Sequence, residues 1–91
     1  RGLTAVVEIT LDRQDAEALQ RFEDRVAHAD AVQQCYRVSP GPDFILIVHT
    51  LDMPAYAELT QQLFTSDANV RNVKAFFNVR RSKFGAELPL K

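Results

Sequence analysis

Five consecutive apolar residues, Phe44-Ile45-Leu46-Ile47-Val48, follow directly on Ser39-Pro40-Gly41-Pro42-Asp43. Two prolines and a glycine so close together force a turn. Proline fixes φ, and glycine alone enters the left-handed region without strain. A short apolar run leaving such a turn reads as a strand that is apolar on both faces. Ile45 and Ile47 point one way, and Phe44, Leu46 and Val48 the other. Such a strand needs cover on both sides, so the fold is restricted to a sheet with something packed against each face.

The rest of the chain alternates between two periods. Leu3 to Leu11 repeats every second residue, with Ala5, Val7, Ile9 and Leu11 on one face and Thr4, Glu8 and Thr10 on the other, which is a strand. From Arg13 the spacing becomes helical through Ala16, Leu19, Phe22 and Val26. Asp12 or Gln14 can open this helix, and it should fade near Ala29-Asp30. Val32 to Val38 alternates again, with Val32, Tyr36 and Val38 on one side and Cys35 on the other. After the apolar strand, Asp52 caps a second helix with Pro54 in its first turn. Met53, Tyr56, Leu59 and Leu63 form its inner stripe. Asp67-Ala68-Asn69 turns the chain into a last strand, Val70 to Phe84, which Gly85 breaks.

The resulting order, βαββαβ, is that of an α+β, ferredoxin-like sandwich: a four-stranded antiparallel sheet with both helices on one face. The other face is then bare, although Phe44–Val48 is apolar on both sides. The last strand adds Val73, Ala75, Phe77 and Val79 on one side and Phe76 on the other. Covering several hundred Å2 at about 25 cal/mol per Å2 is worth on the order of 10 kcal/mol before association costs. A second copy of the same sheet is the expected cover, giving a face-to-face homodimer, a dimeric α+β barrel.

Composition narrows the class. Ninety-one residues form one domain (1–91) with 46% hydrophobic and 25% charged residues, as in ordinary globular chains. No apolar run approaches the roughly 18 residues of a membrane span. The single cysteine, Cys35, cannot form an internal disulfide, which suits a reducing cytoplasm. The chain opens Arg1-Gly2-Leu3 with no initiator Met and no leader pattern, so it is expected to belong to a longer chain. Net charge is −1, but residues 1–70 hold five Lys/Arg against eleven Asp/Glu, and residues 71–91 six against one. The basic residues alternate with apolar ones along the last strand, so they read as its solvent side before they read as a nucleic-acid surface.

Catalytic motifs are absent. There are no paired carboxylates, no nucleophile elbow and no phosphate-binding glycine loop. His28 and His49 share no metal-ligand spacing, so no metal, no cofactor and no catalytic residue is assigned. Cys35 reads as a core or interface residue.

One longer pattern does carry function. Cys35 to Tyr56 runs CYRVSPGPDFILIVHTLDMPAY. It resembles the Lrp/AsnC regulator family's C-terminal domain: a strand ending Val-Ser/Thr-Gly, two variable residues, Asp-Tyr/Phe and a strand, then Asp-Met and a helix carrying Tyr. The resemblance extends from about Leu3 to Leu90. It implies an effector-sensing and oligomerisation domain of a transcription regulator, not an enzyme. A helix-turn-helix domain upstream would contact DNA, and dimers would assemble into octamers or other rings. It also implies a small amino-acid effector held by Val38, Ser39, Pro40, Gly41, Pro42, Asp43 and Phe44. Met53 and Tyr56 would flank that turn, and Val73 and Ala75 stand where many members carry threonine. Gly41 sits one place later than the family glycine, displaced by Pro40. Asp43 is the expected ammonium partner. Two other readings stay open: a small dimeric α+β barrel enzyme of the cofactor-free monooxygenase or isomerase type, with His49 moving the proton, and a free-standing sensor domain.

Overall fold

In the computed structural model, which describes residues 2–84, β1 (Leu3–Leu11), β2 (Val32–Arg37), β3 (Phe44–Thr50) and β4 (Val70–Phe77) form one antiparallel sheet in the order β2-β3-β1-β4. Helix α1 (Ala16–Ala27) connects β1 to β2. Helix α2 (Met53–Thr60), extended by a π-helical turn over Gln61–Thr65, connects β3 to β4. The expected βαββαβ sandwich is therefore the observed one. Both helices bury their apolar stripes on the same face of the sheet. Ala5, Val7, Ile9 and Leu11 of β1, Phe44, Leu46 and Val48 of β3, and Phe22, Val26, Tyr56 and Phe64 of the helices form a single core. Phe22 sits at its centre, its ring 4.8 Å from Phe44 and 6.4 Å from Phe64.

The ends of the elements differ from expectation in instructive ways. Helix α1 is capped by Asp15, whose side chain accepts the Ala18 amide, and not by Asp12 or Gln14. Asp12 is engaged instead by Arg71 at 2.8 Å, and Gln14 by Asp43. Helix α2 begins at Asp52 as expected, which accepts the Ala55 amide at 2.9 Å. Met53, however, is 51% exposed because it lies in the first turn, before the inner stripe begins at Tyr56. Strand β4 ends at Phe77 and not at Phe84. Its partner β1 starts at Leu3, the ladder closes with Ala5 opposite Phe77, and the Asn78 amide donates to Thr4 O as the last rung. A strand cannot continue without a partner for its backbone. The Gly85 break lies outside the described residues.

A bulge between Val32 and Gln34 corrects the reading of β2. Val32 is opposite Val48, yet Cys35 is opposite Leu46 and Tyr36 opposite Ile45. The extra residue flips the alternation, so Val32 and Cys35 lie on the helix side and Tyr36 on the open side. Cys35 is exposed because β2 is an edge strand, so it is not a core residue.

Candidate functional site

The turn between β2 and β3 is tied to the end of β1. The Val38 amide donates to Asp43 O at 3.0 Å, and the Asp43 amide donates to Ile9 O at 2.8 Å. The Asp43 carboxylate then reaches past the end of the ladder. Its Oδ2 accepts the Leu11 amide at 2.7 Å and the Gln14 side-chain amide at 3.1 Å. The Leu11 amide needs this acceptor because it faces the β3 side of β1, where the β1–β3 ladder ends with Ile9 opposite Phe44. Asp43 thus replaces a missing backbone partner.

Between these anchors, Ser39, Pro40 and Gly41 are exposed. Gly41 has φ +113°, and a Cβ there would touch nothing within 4 Å, so glycine is required by conformation and not by crowding. Prolines 40 and 42 have no N–H, leaving Ser39 and Gly41 as the loop's backbone donors. Neither amide donates a hydrogen bond among the described residues. Two open donors beside a glycine are suited to a carboxylate.

The other sequence-predicted residues are not gathered here. Phe44 is fully buried under Phe22, with the Arg37 guanidinium 5.9 Å from its ring centre, so it shapes the turn from below. Val73 lies opposite Ile9, and Ala75 opposite Val7. That places both on the helix side of the sheet, half-buried. The expectation that Met53 and Tyr56 flank the turn is corrected by the register. Thr50 pairs with Leu3 while Phe44 pairs with Ile9, so α2 starts at the opposite end of the sheet. There Tyr56 is buried with its ring edge-on to Phe77 at 5.0 Å.

The open face of the sheet carries Val6, Tyr36, Ile45, Ile47 and Phe76. Val6 is opposite both Ile47 and Phe76, making a continuous apolar row. Tyr36 is 52% and Phe76 47% exposed. The rim is polar: Tyr36 donates to Gln34, Lys74 lies 5.3 Å from the Phe76 ring centre, and His49 Nδ1 is 3.0 Å from Thr4 Oγ1. His49 is exposed at this rim.

Desolvation on the α1 side of the edge strand pushes the Cys35 thiol up, with the Glu23 carboxylate adding to it and Arg37 opposing. That disfavours a reactive thiolate. Among the described residues no group of three His, Cys, Asp or Glu is placed to hold a metal ion, and no helix is long and apolar enough to cross a membrane. Sequence reasoning missed a cleft between α1 and the turn before β4, lined by Arg21, Arg25, Asp67 and Asn69. The only signal for it was the spacing of the two arginines, one helical turn apart.

Known proteins resemble this chain along nearly all of it. The Lrp/AsnC ligand binding domain family matches residues 4–88. An uncharacterized HTH-type transcriptional regulator of Haemophilus influenzae is 30% identical over 83 residues, covering 91% of this chain and 49% of that protein. The crystal structure of an AsnC family transcriptional regulator from Agrobacterium tumefaciens superposes with a TM-score of 0.84 at 28% identity, covering 97% of this chain and 57% of the other. A feast or famine regulatory protein from M. tuberculosis, solved in complex with L-methionine, gives 0.75 at 25% identity, with 94% and 56% covered. The chain spans about half the length of the curated relatives it matches.

Proposed function

Because this chain belongs to the Lrp/AsnC ligand-binding domain family, we propose that it senses a small amino-acid effector and pairs the subunits of a cytoplasmic transcription regulator. The observation that carries this reading is the family match over residues 4–88. Contact with DNA falls to a helix-turn-helix domain in the remaining half of the longer protein.

Two surfaces support the division of labour. The apolar open face of the sheet is the pairing surface, where a second copy covers Val6, Ile45, Ile47 and Phe76. The turn at residues 38–43 is the effector surface. The Ser39 and Gly41 amides take the α-carboxylate. Asp43 Oδ1, the carboxylate oxygen not engaged by Leu11 or Gln14, takes the α-ammonium. Both charged ends of a zwitterion need fixed partners, since burying either one alone costs several kcal/mol. Met53, exposed at the far end of the same sheet, reaches such a turn only from another copy, while Tyr56 stays in the core beneath it. A ring of dimers brings it there. Val73 and Ala75, half-buried on the helix side of β4, offer an effector no hydroxyl, so an apolar side chain is the expected choice.

Calorimetric titration with the twenty amino acids tests this reading. An apolar amino acid should bind, and Asp43→Asn should weaken it by roughly 1.5–3 kcal/mol, the range for a charge-assisted hydrogen bond. The asparagine keeps an acceptor for the Leu11 amide, so the turn stays in place. Absence of binding by any amino acid at millimolar concentration would refute the effector assignment.

A further inference from the structure

We propose that the cleft between α1 and the turn before β4 is a second small-molecule site, one that takes a small organic carboxylate. It lies on the helix layer, independent of both the turn at residues 38–43 and the sheet face.

The open cleft has a volume of about 250 Å3 and is lined by Ala18, Arg21, Phe22, Arg25, Asp67 and Asn69. Its walls are held by the fold. Arg25 Nη2 donates to Leu63 O at 2.7 Å and to Asp67 Oδ2 at 2.6 Å. Asp67 Oδ1 accepts the Asn69 amide at 2.9 Å. The Asn69 side chain is fixed in turn, accepting the Arg13 amide and donating to Arg13 O. Asp67 is thereby neutralised by Arg25. Arg21, one turn earlier on α1, is exposed and forms no ion pair among the described residues. The cleft carries one positive charge in excess.

A guanidinium fork matches a carboxylate in a two-point contact. Beneath it the buried Ala18 and Phe22 supply an apolar floor, which gives a short aliphatic body an advantage over an inorganic anion. The volume lies just below the roughly 300 Å3 at which pockets for drug-sized ligands begin, which suits a small ligand. Rigid walls reduce the ordering cost of binding.

The test is a titration of 15N-labelled protein with sodium isobutyrate, with isobutyramide as its neutral counterpart and inorganic phosphate as the bare anion. Isobutyrate should shift the amides of residues 18–25 and 66–69 in a saturable way. Isobutyramide and phosphate should bind at least tenfold more weakly. Arg21→Ala should lower isobutyrate affinity at least tenfold, and Ala68→Asp, which sets a carboxylate at the cleft, should do the same. Both positions are exposed, so melting temperatures should stay at the wild-type value. Shifts confined to residues 38–43, equal binding of phosphate, or full affinity in both variants would overturn the assignment. An amino acid binding at the turn leaves these outcomes untouched, so the two sites stand or fall separately.

Discussion

At Asp43 one carboxylate oxygen receives both the Leu11 amide at 2.7 Å and the Gln14 side chain at 3.1 Å. The residue was legible in the sequence as the last position of a turn, and the family resemblance added an ammonium partner. Its bond to Leu11 was not legible, because it spans 32 residues and depends on where the β1–β3 ladder ends. Asp43→Ala should therefore destabilise the fold by about 1–3 kcal/mol, the cost of leaving a sheltered N–H without an acceptor. Urea denaturation would measure it, with Asp43→Asn losing clearly less. Equal stability of Asp43→Ala and wild type would mean water replaces the carboxylate. Cys35 teaches the same lesson in reverse. The alternation around it was plain, but one bulged residue decided which face it shares.

Among the elements, the two helices were readable from their caps and stripes, and their tests lie at their first turns. Desolvation of Asp15 raises its pKa, but hydrogen bonds from the Ala18 amide and its own amide, with Arg13 beside it, together outweigh that and hold it below the ordinary 3.8. A carboxylate lowered in the folded state stabilises it fully above the unfolded value and loses that contribution as pH falls through the folded one. Circular-dichroism melts of wild type and Asp15→Asn should therefore converge or cross below pH 3.8, since asparagine caps at every pH. A gap between the two that is the same at pH 6 and pH 3 would remove Asp15 as the titrating cap. The end of β4 was not readable, because the apolar alternation runs past Phe77 while the partner strand does not.

For the whole molecule, the decisive surface is the open face of the sheet. Ile47 lies on it and Leu46 is buried against the helices, so aspartate at the two neighbouring positions should act differently. Ile47→Asp should give a folded monomer by sedimentation velocity, because it places a charge in the paired apolar row. Leu46→Asp should fail to fold, because it puts that charge in the core. A stable dimer in Ile47→Asp would rule out pairing through this face. Around the turn at residues 38–43, tertiary structure gathered some residues and separated others. Positions 38–44 are contiguous and stayed together. Met53 and Tyr56 follow soon after in the chain, yet β3 carries them to the other end of the sheet.

Local chemistry was enough to establish the order of elements, the two-sided strand, the turn at residues 39–43 and the family, because periodicity, proline and glycine act over a few residues. Register, the bulges at Thr10/Leu11 and Val32/Gln34, the end of β4 and the Arg21–Arg25 cleft came only with the folded chain. Each depends on which backbone groups find partners across long separations. No span of sequence contains both members of such a pair, so packing decides among the registers that local preferences leave nearly equal.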